Sequence, residues 1–125
     1  MNNIFYGIAV MVTIAGSSAY AQVTTCELTD WKGARDQEIT IAWTGTSYTV
    51  DAKTNTINSV NGPQATKAKR TQKFTTYKFT TNTTSEGSPA GVRTTYSYRI
   101  YNTGKCTIRV ERAGFWPMDA SGRVN

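Results

Sequence analysis

Four cations within seven residues, Lys67, Lys69, Arg70 and Lys73, form the densest group of chemically active side chains in this sequence. No Asp or Glu occurs from Ala52 to Ser85, and Lys53 and Lys78 add two more cations to that span. These six account for the whole formal charge of +6, because the other eight basic residues balance the eight acidic ones. Like charges this close sum their fields, and a summed positive field attracts polyanions. Lys67, Lys69, Arg70 and Lys73 are therefore the candidate ligand-binding residues. The partner they suit is an acidic polymer, an anionic envelope surface or an acidic protein. A plainer reading competes: lysines in a solvated loop keep a protein soluble and blunt a sheet edge.

Histidine is absent from the 125 residues. Its absence removes Ser-His and Cys-His nucleophile pairs, imidazole acid/base shuttles and imidazole metal ligands. The carboxylates do not fill the gap. Glu38 and Glu111 alternate with apolar residues and so point to solvent, Asp36 and Asp51 fall at expected strand ends, and Glu86 lies in a polar stretch. Glu27 and Asp30 are close in sequence, but nothing around them desolvates a pair as glycoside hydrolysis requires. SxxK, GxSxG and clustered metal-ligand patterns are also missing. The expectation is a non-catalytic binding module, not an enzyme, with no metal and no cofactor.

The two cysteines, Cys26 and Cys106, bear on the compartment. Ile4 to Ala15 is an apolar run too short to cross a bilayer, and Ala19-Tyr20-Ala21 supplies a small-x-small cleavage pattern. The segment Met1-Asn2-Asn3 lacks the usual Lys or Arg. Residues 1–21 read as a cleavable signal peptide and 22–125 as one domain, periplasmic or secreted, with no transmembrane span in the mature chain. In an oxidising compartment Cys26 and Cys106 are expected to be bonded. Cross-linking residues so far apart restricts the unfolded chain by about 4.5 kcal/mol in the loop-closure picture. Export also removes nucleic acid as a partner. Were the chain retained inside, Phe74 and Tyr77 interleaved with Lys73 and Lys78 would suit single-stranded nucleic acid.

The elements that must carry these groups are strands. Threonine mixed with Tyr, Val, Ile and Phe runs from Thr24 onward without a sustained 3.6-residue apolar period. Ile39, Ile41 and Trp43 alternate, as do Tyr48, Val50 and Ala52, and a two-residue turn at Gly45-Thr46 would pair them as a hairpin. A second hairpin turns at Asn102-Thr103-Gly104. Its expected inner pairs are Ile100 with Cys106, Tyr98 with Ile108 and Tyr96 with Val110, while Ser97, Arg99, Thr107, Arg109 and Glu111 face outward. Between the hairpins lie a strand with Ile57 and Val60, a turn at Asn61-Gly62-Pro63, and a strand in which a bulge near Thr75-Thr76 would bring Phe74 into phase with Tyr77 and Phe79. Asn82 to Gly91 reads as a mobile loop, and Phe115-Trp116-Pro117-Met118 as a plug for one end of the core or as an exposed aromatic patch.

The fold class is all-β: a small antiparallel barrel or a two-sheet sandwich of about six strands, with one disulfide. The other function such a scaffold supports is an enzyme inhibitor or protein-interaction module acting through the Asn82 to Gly91 loop or the tail Asp119 to Asn125. Within that tail Ser121-Gly122-Arg123 resembles, over three residues and without specificity, the Ser-Gly loop of periplasmic lysozyme inhibitors. A basic inhibitor would, however, be repelled by a basic lysozyme.

Overall fold

A computed structural model describes residues 23–85 and 88–125, and the expected signal segment, residues 1–21, lies outside them. The chain forms β1 (Val23–Lys32), α1 (Gln37–Thr44), β2 (Ser47–Asp51), β3 (Thr56–Ser59), β4 (Gly62–Ala65), β5 (Lys67–Arg70), β6 (Phe74–Ser85), β7 (Ser88–Tyr101), β8 (Lys105–Arg112) and β9 (Met118–Val124). All pairings are antiparallel, in the order β4-β3-β2-β1-β9-β8-β7-β6-β5. The sheet curls into a nearly closed barrel, which decides against the sandwich. Its two edge strands, β4 and β5, are separated in the chain by Thr66 alone, so covalent continuity joins the edges. Thr66 is held there by its backbone N–H and its hydroxyl, both donating to the Asn55 carbonyl.

The β7–β8 hairpin has the register its alternation predicts, with Ile100 opposite Cys106, Tyr98 opposite Ile108 and Tyr96 opposite Val110. These six residues, with Tyr48, Val50, Ile57, Tyr77 and Phe79, belong to the core, and Ile100 is the only one of them that stays partly exposed. Aromatic rings fill much of it. Tyr48 meets Tyr98 edge-on at 4.8 Å, and Phe79 stacks on Tyr96 at 4.8 Å. The buried hydroxyls are satisfied: Tyr48 donates to the Thr107 carbonyl at 2.8 Å, and Tyr98 shares a hydrogen bond of 3.0 Å with Ser59. Burial pushes the Tyr48 phenol far above its ordinary range and the Tyr98 phenol up to about 12.

The expected disulfide is present between Cys26 on β1 and Cys106 on β8. Those strands are not neighbours, since β9 lies between them. Adjacent strands sit about 4.8 Å apart, so strands two places apart in a flat sheet would be separated by about twice that. The two Cα atoms are only 6.0 Å apart, which requires the sheet to curl tightly at β9. Gly122 makes this possible. It is paired with Leu28 and Cys106 on its two sides, and a β-carbon there would collide with the Glu27 carbonyl.

Several expectations are overturned. The segment with Ile39, Ile41 and Trp43 is α1 and not a hairpin strand, and β2 pairs with β1 and β3 instead. Asp36 caps the helix by accepting the Glu38 N–H at 2.9 Å, and Gly45, with φ of 80°, ends it. The face it buries carries Thr40 and Thr44, which hydropathy does not flag. Of Asn82 to Gly91, expected as a mobile loop, residues 82–85 belong to β6 and residues 88–91 to β7, with Asn82 paired to Arg93 and Ser85 to Ser88, because β-branched threonines favour extended backbone. Phe74 needs no bulge: β6 and β7 pair without a shift from Phe74 to Thr83, and Phe74 faces outward against Tyr101 at 5.1 Å. The turn expected at Asn61-Gly62-Pro63 sits one residue earlier, with Ser59 opposite Gly62 and Pro63 on edge strand β4.

Candidate functional site

Strand parity places the charged residues in rows across the outer face of the sheet. One row runs from Lys67 to Lys78, Ser97, Arg109, Asp119 and Lys32. The next runs from Lys69 to Thr76, Arg99, Thr107, Ser121 and Asp30. Both cross a polar groove of about 660 Å3 whose walls come from β6, β7, β8, β9 and β1. Pairing thus brings together residues dispersed along the chain. Because the side-chain period of a strand is two, a one-residue slip of any strand would send all of its outward residues to the core.

The two ends of these rows differ in charge. On β8, β9 and β1 the cations are matched: Arg109 meets Asp119 at 3.2 Å and Glu111 at 3.6 Å, and Lys32 meets Asp30 at 4.0 Å. On β5, β6 and β7 they are not. Lys67, Lys69, Lys78 and Arg99 form no salt bridge among the described residues, and all four are exposed. Arg99 lies 4.5 Å from the Phe74 ring centroid, so its guanidinium rests on an aromatic face and its donors stay available. Beside it, the Lys105 ammonium lies 5.6 Å from the Tyr101 ring.

Of the four cations picked out in the sequence, Lys67 and Lys69 flank the groove, opposite Lys78 and Thr76. Arg70 has the other parity. It pairs with Thr75, and its positive charge acts on Tyr77, partly offsetting the rise that burial imposes on that phenol. Lys73 sits in the turn between β5 and β6, where Thr71 bonds the Phe74 carbonyl and accepts the Lys73 and Phe74 N–H groups. Lys78, counted in the acid-free span but not among those four, and Arg99, outside it, are the further cations on this face. The signal for them was parity across β6 and β7, which requires the pairing to be known.

Tyr77 is buried in the core, so it does not form an aromatic platform with Phe74. The tail Asp119 to Asn125 lies largely in β9, held between β1 and β8, with Ser121, Gly122 and Arg123 all paired. No group of three or more Cys, Asp or Glu able to hold a metal ion occurs among the described residues. No helix among them is long and apolar enough to cross a membrane. Neither protein-family models, nor curated proteins, nor solved structures yield a match to this chain.

Proposed function

We propose that the protein is a non-catalytic binding module of the periplasm or extracellular space. It holds an acidic polymer along the β5–β7 side of the outer face. The observation that carries this reading is the cationic end of the rows: Lys67 opposite Lys78, and Lys69 in register with Thr76 and Arg99, without a carboxylate partner among the described residues. Cations without partners are free to exchange small counterions for a polyanion, and their summed field steers its approach. Asp30, Glu111 and Asp119 line the far part of the groove, so the polymer runs along β5–β7 instead of crossing toward β9. The Cys26–Cys106 disulfide supports export, since such bonds persist in oxidising compartments.

The groove also favours a second reading. Cations on one side and carboxylates on the other complement a protein surface of mixed charge, as in a protein-interaction module. Labelled polygalacturonate and a set of wild-type and Lys67→Glu/Lys69→Glu proteins separate the two. Polymer binding should weaken steeply as ionic strength rises from about 0.01 to 1 M, which shortens the Debye length from about 30 to 3 Å. The double variant should lose about tenfold or more in affinity, equivalent to at least about 1.4 kcal/mol. Equal binding by both proteins, or binding indifferent to salt, would refute the polymer reading.

A further inference from the structure

A second concavity shares no residue with the groove. It lies where α1 and the chain between β8 and β9 cover an end of the barrel, has a volume of about 260 Å3, and is walled by Ile39, Trp43, Phe115, Trp116 and Met118. Gly33, with φ of 128°, approaches the Pro117 carbonyl too closely for any side chain and brings Ala34 and Arg35 to the rim. Phe115 and Trp116 are 57% and 85% exposed, so the lip is a large aromatic surface left in water. The plug expected from this segment is thus confined to Met118, which is buried.

Arg112 gives the cleft its chemistry. It has the same strand parity as Ile108 and Val110, so its side chain leaves β8 on the core side and emerges at the barrel end. Its guanidinium carbon lies 4.4 Å from the Trp43 ring centroid and 4.2 Å from that of Phe115. The rings attract the cation through their faces but offer its N–H groups no in-plane acceptor. Its Nε is buried without a hydrogen-bond partner, and the residue has no salt bridge among the described residues. An unsatisfied buried donor on a charged group is costly, and a carboxylate is the acceptor whose two oxygens match a guanidinium edge. The lining holds two arginines, Arg35 and Arg112, and no acid.

We propose that this cleft binds a small aryl carboxylate, with its acid group on Arg112 and its ring against Phe115 and Trp116. The size fits: a dry cavity of about 150 Å3 takes a benzene ring, and the additional volume here accommodates a short acidic arm. Aromatic walls prefer a ring to an alkyl chain because ring pairs gain from stacked and edge-on geometry beyond the area they bury.

The test uses phenylacetate, its neutral analogue phenylacetamide, and hexanoate, titrated by calorimetry and by the indole N–H resonances of the full mature protein. Phenylacetate should saturate and shift the Trp43 and Trp116 signals. The Trp31 signal should stay in place, since that indole donates to the Gly45 carbonyl at 3.1 Å and does not line the cleft. Phenylacetamide and hexanoate should bind about tenfold more weakly, the scale of one charge-assisted hydrogen bond or one good ring contact. Arg112→Lys keeps the charge and loses the planar fork, while Trp116→Ala removes a side chain so exposed that folding does not depend on it. Each should cost about tenfold in phenylacetate affinity. Equal affinity for acid and amide, an unchanged Kd in Trp116→Ala, or no saturation by phenylacetate would overturn the proposal. The Lys67→Glu/Lys69→Glu protein should bind phenylacetate normally, so the two sites succeed or fail separately.

Discussion

The two proposed anion sites, on the β5–β7 face and in the cleft, present their cations by opposite means. The β5–β7 face spreads four exposed cations over three strands, where water and salt weaken each one. The cleft concentrates its preference in Arg112, whose Nε is removed from water and whose guanidinium touches two rings. Many weak, screened contacts suit a long, repetitive ligand that can slide. One desolvated donor among aromatic walls suits a small ligand with a defined shape.

The largest effects should come from changes that strike both regions at once. Strands β1 and β8 carry Asp30, Lys32, Arg109 and Glu111 of the groove, β8 also carries Arg112, and the Cys26–Cys106 bond ties these strands together. Replacing both cysteines by serine should destabilise the fold by about 4 kcal/mol and shift the urea midpoint accordingly. Gly122→Ala should cost about 3 kcal/mol, because a β-carbon has no space against β1. If either variant lost one binding activity while keeping the other and its stability, the regions would be mechanically independent, contrary to their shared strands.

A smaller effect concerns the tyrosine core on which both regions are built. The unfolded chain releases phenol protons near pH 10, whereas folded Tyr98 keeps its proton to about 12 and Tyr48 beyond that. Above pH 10 the unfolded state therefore binds fewer protons than the folded one, and stability falls as pH rises. Urea midpoints should be insensitive to this pair below pH 10 and decline between about 10 and 12. Tyr98→Phe should flatten part of that decline. The smallest effect on stability belongs to the groove: Lys67→Glu/Lys69→Glu should move the urea midpoint by an amount equivalent to within about 0.5 kcal/mol, despite its effect on polymer affinity. A larger change would show that β5 contributes to closing the barrel as well as to binding.

How much of this was legible in sequence depended on whether the informative residues were apolar and local. The β7–β8 hairpin was legible to the residue, because Tyr96, Tyr98 and Ile100 alternate and Asn102-Thr103-Gly104 suits a three-residue turn. The helix was not, although its signals were present. Asp36 and Gly45 mark its ends, but Ile39, Ile41 and Trp43 also alternate as a strand would, and the buried face is polar. Thr40 there accepts the Ala34 N–H and Thr44 donates back to the Thr40 carbonyl, so hydroxyls satisfy the interface in place of apolar contact. At the candidate site Lys67 and Lys69 stood out by density, whereas Lys78 and Arg99 joined them through pairing. The cleft was the least legible, since Trp43, Arg112 and Trp116 meet only once α1 has been placed over the barrel end.

The position of β9 has a consequence for the order in which the sheet can assemble. It follows β8 in the chain, yet it occupies the slot between β8 and β1. Residues near opposite ends of the chain, such as Cys26 and Val124, must therefore meet before the sheet is continuous. Pairings so distant in sequence slow folding, because the entropy of closing the chain is lost before the contacts are gained. Until β9 docks, β1 and β8 each present an unpaired strand edge, and these edges make the partly folded chain prone to aggregation.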